Sequence, residues 1–250
     1  MKSLILIILM LINSTSFAGT REESIEDSRH IEYGKKFKYI YKICGTYKDG
    51  KLFCGSAIVI DRHWILTAAH VVNNHKFCII SQDDKTNTVD EIIVHEDFVR
   101  EKFGSADIAL GYMEKPIVLD FYPSLYEDKD ELNKVCCISG YGLTGTFKTG
   151  ANISDNKKRA GSNIIDAIDR ELLLCNASSR DDKNATELEF LIAGGDSGGG
   201  LFIDGKLAGI NSIVLAADKK PDSSYGDESA HTRISSYSKW IRDKINSKRR

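Results

Sequence analysis

From Tyr39 onward the chain is a succession of short runs rich in aromatic and β-branched residues, separated by turn residues, with almost no apolar spacing of helical period. Tyr39 to Thr46 and Lys51 to Ile60 flank Lys48-Asp49-Gly50, and Asp-Gly is a dipeptide that reverses an extended chain tightly. Comparable runs follow at Phe77 to Ile80, Glu91 to His95, Ile108 to Met113, Val135 to Ser139, Glu171 to Cys175, Leu201 to Ile203 and Leu207 to Ile213. Asp204-Gly205 joins the last two as a second hairpin. This pattern predicts an all-β sandwich or pair of barrels. One segment departs from it. From Ser235, Tyr237, Trp240, Ile241 and Ile245 fall at helical spacing opposite Lys239, Arg242, Asp243 and Lys244, which predicts a C-terminal α-helix. Lys115 to Asp130 holds Pro116 and Pro123 and reads as the connection between two halves.

At 250 residues and 42% hydrophobic content, one or two cores can be buried. A net charge of -2 excludes the basic excess of a duplex nucleic-acid binder. The N-terminus reads as a leader: Lys2, an apolar run from Leu4 to Ile12, then Ser16-Phe17-Ala18 with small residues flanking a cut before Gly19. That run is far short of the roughly 20 residues of a spanning helix, and no later stretch is as apolar. Residues 1–18 are therefore expected to be removed and the chain secreted, to the extracellular space or periplasm, with no membrane anchor. Cys44, Cys54, Cys78, Cys136, Cys137 and Cys175 form an even set, which favours disulfides in an exported chain, although their pairing stays open. No Cys-x-x-Cys pair suggests a metal site.

Three separated segments carry chemistry: Thr67-Ala68-Ala69-His70, Asp107-Ile108-Ala109-Leu110 and Gly195-Asp196-Ser197-Gly198-Gly199. A serine hydroxyl attacks an acyl carbon only with a base beside it, an acid to hold the imidazole tautomer, and N–H donors aimed at the oxyanion. His70, Asp107 and Ser197 supply the first three groups, and glycines around Ser197 let backbone N–H groups converge.

In that order the segments resemble the trypsin/chymotrypsin family of serine peptidases. Cys54-Gly55-Ser56, Gly140-Tyr141-Gly142 and His231-Thr232-Arg233-Ile234 followed by Trp240-Ile241 extend the resemblance from about Ile31 to Ile245. It implies two six-stranded antiparallel β-barrels, about 31–118 and 130–234, with the active site between them and a helix over about 235–246. Ser197 would be the nucleophile, His70 the general base and Asp107 the orienting acid, with Gly195 and Ser197 N–H groups as the oxyanion hole. Ser212-Ile213-Val214 would pair with an extended substrate. No cofactor or metal is implied; partners would be protein or peptide substrates and protein inhibitors.

The sequence departs from the family at defined places. Gly200 replaces a proline, Val71 replaces the cysteine expected to bridge Cys54, and Ile203 replaces the partner expected for Cys136. Leu191 stands where trypsin has its specificity aspartate, so tryptic specificity is not expected; Ile192, Ser229 and His231 complete the expected pocket, where a histidine favours acidic and Leu191 apolar side chains. Ile31-Glu32-Tyr33-Gly34 resembles the terminus freed on activation, whose amine would pair with Asp196; residues 19–30 are then a short propeptide, and 31–250 the peptidase domain.

Two rival readings have definite signatures. An α/β-hydrolase also carries Gly-x-Ser-x-Gly, but its serine leads into a helix, and Gly198-Gly199-Gly200 before a hairpin does not. A catalytically inactive homologue acting as a binding or regulatory module usually shows a substituted triad, and none is substituted here.

Overall fold

A computed structural model of the chain describes residues 19–100, 102 and 105–248; the leader expected at residues 1–18 lies outside them. The alternating β-branched runs pair as hairpins. In the first half, β2 (Ile40–Tyr47), β3 (Leu52–Asp61), β4 (Trp64–Thr67), β5 (His75–Gln82), β6 (Lys85–Val89), β7 (Glu91–Val94) and β8 (Ala109–Tyr112) form a sheet of order β6-β5-β2-β3-β4-β8-β7. In the second half, β9 (Val135–Gly140), β12 (Arg159–Ile164), β13 (Ala167–Asp169), β14 (Leu172–Asn176), β16 (Gly200–Ile203), β17 (Lys206–Ala216) and β18 (Asp227–Arg233) form a sheet of order β12-β9-β16-β17-β18-β14-β13. Both sheets curl into half-barrels. Among the described residues each sheet holds seven strands, with the short ribbons β7 and β13 at an edge.

A third, four-stranded sheet was not expected. β1 (Thr20–Arg21) lies between β10 (Thr144–Thr146) and β15 (Phe190–Leu191), with β11 (Gly150–Ile153) outside β10. Helix α1 (Asp27–Gly34) follows β1 and packs on β12. Its buried clasp is Arg159, 1% exposed, whose guanidinium bonds Asp27 Oδ2 at 2.6 Å and Asp155 Oδ2 at 2.7 Å. The segment read as a possible propeptide, 19–30, contains β1 and the first residues of α1, and Ile31 lies within α1.

The first core is centred on Ile40, Ile43, Ile58, Trp64, Ile65 and Leu110, all at most 2% exposed, and continues through Phe37 and Phe202 into the second half. Truncating a side chain such as Trp64 to alanine there typically costs about 3–5 kcal/mol. The second core joins Ile138, Leu173, Phe190 and Leu201. Helix α2 (Ala69–Val72) is one turn between the sheets, and α3 (Ile234–Lys248) closes the chain as the helical spacing predicts. Buried Glu131 receives Arg233 through two nitrogens and the Ser235 hydroxyl, tying the start of α3 to the inter-barrel connection.

One disulfide is formed, Cys44–Cys54, between residues directly opposed across β2 and β3. Cys54, denied a partner beside His70, thus finds one on the neighbouring strand. Among the described residues Cys78, Cys136, Cys137 and Cys175 remain thiols, so the even count produces one bridge rather than a framework.

Candidate active site

The three chemistry-bearing segments converge where the half-barrels meet. Thr67 ends β4, and the chain turns at once into α2, which presents His70. Asp107 precedes β8, the strand that pairs with β4, so β-ladder geometry brings the two side chains together. His70 Nδ1 lies 2.7 Å from Asp107 Oδ2, and the His70 backbone N–H donates to Oδ1 at 2.8 Å. A carboxylate accepts only, so Nδ1 carries the proton and Nε2 keeps its lone pair.

Asp107 is nearly buried and meets further donors. Ser212 Oγ donates to Oδ2 at 2.5 Å, and Thr232 Oγ1 donates to the Asp107 carbonyl at 3.1 Å. Burial pushes its carboxyl upward, but the bonds from His70 and Ser212 outweigh it and leave the group below the usual carboxylate range.

The Ser197 loop is fastened from the other half-barrel. Ser56 on β3 donates its N–H to the Ser197 carbonyl at 2.8 Å and its hydroxyl to the Gly195 carbonyl at 3.1 Å. Its Oγ also accepts the Tyr141 N–H at 2.9 Å. Gly198 makes this close approach feasible: its φ is +86°, and a Cβ would stand 2.1 Å from the Ser56 carbonyl oxygen. The N–H groups of Gly195 and Ser197 donate to no other described residue. Ser197 Oγ is half-exposed and donates to the Ser212 carbonyl at 3.3 Å, so the hydroxyl must rotate to reach His70. Such bonds often tighten only once substrate is bound.

The segment Ser212-Ile213-Val214 lies on β17, which β16 accompanies only as far as Ile210. Beyond that point β18 is its one strand neighbour among the described residues, and Ile213 is 46% exposed. An open strand edge therefore passes beside Ser197.

The expected specificity residues lie in the interior. Leu191, Ile192, Ser229 and His231 are all buried. Ser229 Oγ accepts the Ile192 N–H at 2.8 Å, and His231 Nδ1 meets Asn211 Oδ1 at 3.0 Å. Complete burial holds His231 down to about 3, so it is a neutral core imidazole with no charge for an acidic side chain.

Asp196 is fully buried. Its Oδ1 accepts the Gly142 N–H at 2.7 Å; its Oδ2 accepts those of Ala193 at 2.9 Å and Gly19 at 2.8 Å. Ser56, Thr232 and Gly19 were not singled out as site residues from sequence, although Ser56 and Thr232 lay inside quoted motifs; Ser212 was expected to pair with substrate, and its bond to Asp107 was not foreseen.

A histidine and aspartate facing a serine loop between two half-barrels define the serine-peptidase class of β proteins. The chain belongs to the trypsin family, whose model, described as Trypsin, matches residues 34–241. It is 24% identical to the serine protease SSP1 of Scolopendra subspinipes over 97% of this chain and 93% of that one. It is 27% identical to the chymase of Papio hamadryas over 75% of this chain and 77% of the other. Among solved structures, HL collagenase superposes with a TM-score of 0.67 at 19% identity, covering 84% of this chain and 94% of its own. Mouse neuropsin superposes at 0.65, also at 19% identity, covering 84% and 95%.

Proposed function

We propose that this protein is a secreted serine endopeptidase that hydrolyses peptide bonds through an acyl-enzyme intermediate. The observation that carries the reading is the His70–Asp107 pair, closed at 2.7 Å and facing a Ser197 loop that Ser56 holds from the opposite half-barrel.

The substrate lies extended along Ser212-Ile213-Val214 and adds a strand to the open edge of β17. Ser197 Oγ attacks the scissile carbonyl while His70 Nε2 takes its proton. The tetrahedral oxyanion is received by the Gly195 and Ser197 N–H groups, and loss of one such donor typically costs about 3 kcal/mol of transition-state stabilisation. His70 returns the proton to the departing amine, and water repeats the sequence on the acyl-enzyme. The buried apolar wall of Leu191 and Ile192 offers no carboxylate to a lysine or arginine, so specificity is not tryptic.

Fluorophosphonate labelling of the exported protein, with the adduct mapped by mass spectrometry, tests the proposal. An adduct on Ser197 that disappears in Ser197→Ala supports it. Absence of any adduct on correctly processed protein would place the chain among the inactive homologues that serve as binding or regulatory modules.

A further inference from the structure

Seven lysines and two aspartates line an open groove of about 1130 Å³, in a chain whose net charge is -2. The groove runs between the end of α1, the turn from β5 to β6 and the inter-barrel connection. Much of its charge has no counter-ion. Lys35 pairs with Glu32 at 2.5 Å and Lys157 meets Asp155 at 3.7 Å, but Lys38 and Lys85 are exposed and have no partner among the described residues.

Two further lysines lie deeper. Lys42 is buried, and its ammonium donates to the neutral Asn156 Oδ1 at 2.8 Å. Lys158 is half-buried; it donates to the Phe37 and Ile40 carbonyls at 2.7 and 3.2 Å and stands 5.8 Å from the centre of the Tyr141 ring. Burial pushes both ammonium groups down, Lys158 to about 8, and Asp83 acts on Lys158 only from beyond ion-pair distance. Holding two desolvated cations without a carboxylate is costly, and an arriving anion offsets that cost.

Size and lining narrow what the anion is. The groove exceeds the roughly 300–1,000 Å³ of a small-molecule pocket, so it suits a length of chain rather than a single phosphate or sulfate. It also exposes Val118 at 72% and Phe121 at 57%, in a lining that includes Tyr39 and Tyr41. A sulfated polysaccharide has the charge but nothing to cover those apolar side chains. An acidic peptide that carries aliphatic or aromatic residues has both.

The groove adjoins the Ser197 loop. Lys42 on β2 is the direct cross-strand partner of Ser56 on β3, and Tyr141, which lines the groove, donates its N–H to Ser56 Oγ at 2.9 Å. Ser56 in turn holds the Ser197 carbonyl at 2.8 Å. Resting on the serine-peptidase reading, we propose that this lysine groove docks an acidic, apolar-containing segment of the protein substrate, away from the bond that is cut. Selection then rests on two regions of the substrate, the residue before the scissile bond and an acidic stretch that stays intact. Linking two contacts raises the effective concentration of the second, so even a weak contact in the groove lowers KM.

Binding is separated from catalysis by using the exported chain with Ser197→Ala, which leaves the groove intact. The probe is a fluorescein-labelled peptide in which glutamate alternates with leucine and phenylalanine, read by anisotropy. Its controls are the same peptide with glutamine for glutamate, and heparin. The glutamate peptide is expected to bind, and to weaken as salt shortens the Debye length from about 10 Å at 0.1 M to about 3 Å at 1 M. Lys38→Glu with Lys85→Glu reverses two exposed charges without touching the core, and should weaken binding about tenfold or more. In the active enzyme the same pair should raise KM and keep kcat on a substrate that bears the acidic segment, with unaltered kinetics on a short substrate that lacks it. Failure of the glutamate peptide to bind, equal binding of the glutamine peptide, or undiminished binding to the double variant overturns the proposal. Heparin bound in place of the peptide overturns it too, since the groove is then a polysaccharide site. If the peptide binds as expected to a protein that cleaves nothing, the docking site stands and the peptidase reading fails.

Discussion

Ser56 holds Ser197 from the opposite half-barrel, its N–H 2.8 Å from the Ser197 carbonyl oxygen, while its hydroxyl bridges Gly195 and Tyr141. One side chain on β3 thereby joins the strand that leads towards His70 to the loop that carries both proposed oxyanion donors. Ser56→Ala keeps the backbone bond but strands the buried Tyr141 N–H, a loss worth about 1–3 kcal/mol. Turnover should fall by roughly tenfold or more with KM little changed, because the oxyanion forms only in the transition state. Ser56→Thr restores the hydroxyl and should recover most of the rate. A change in KM alone would refute the positioning role.

Asp107 owes its ionised state to His70 and Ser212. Its folded pKa is depressed, so the stabilisation it contributes is present above the unfolded value of about 3.9 and is lost as pH falls through the lower folded value. Ser212→Ala removes one of the bonds that depress it, and the acid limb of the thermal midpoint should then begin at higher pH than in the parent. Asp107→Asn should reduce turnover by about 10⁴, since the amide presents a donor where Nδ1–H needs an acceptor. Melting curves across the acid range and steady-state kinetics measure the two effects.

Arg159 clamps α1 to the second half-barrel through Asp27 and Asp155. Both carboxylates are partly exposed and regain water when the guanidinium is lost, which tempers the cost. Arg159→Ala should destabilise by about 2–4 kcal/mol, below the range for a fully buried pair. The N-terminal arm should loosen first. Limited proteolysis that cuts within residues 19–34 of the variant, but not of the parent, is the expected result.

With Leu191 and Ile192 walling the expected pocket and His231 neutral in the core, cleavage should follow small or apolar residues in preference to lysine, arginine or acidic ones. A peptide library varied at the residue before the scissile bond measures this. Dominant cleavage after arginine or lysine would overturn it.

Much of this molecule was legible in the sequence because the deciding interactions are local. Asp49-Gly50 and Asp204-Gly205 reverse the chain whatever lies elsewhere, and the helical spacing from Tyr237 to Ile245 specifies α3. The motifs around His70, Asp107 and Ser197 pointed to their chemistry because acyl transfer needs those groups together. Other features depend on what a residue meets across space. Cys44 and Cys54 bridge because strand register opposes them. His231 is neutral because it is buried against Asn211, which its motif alone does not show. Nothing in the composition of residues 19–30 announces that Arg159, 132 positions from Asp27, will bond to Asp27. Gly19 on Asp196 spans 177 positions. Local hydrogen bonding and periodicity are written into neighbouring residues, but the donors that meet a buried carboxylate such as Asp196 are decided only when the packed core excludes water and brings distant N–H groups to it.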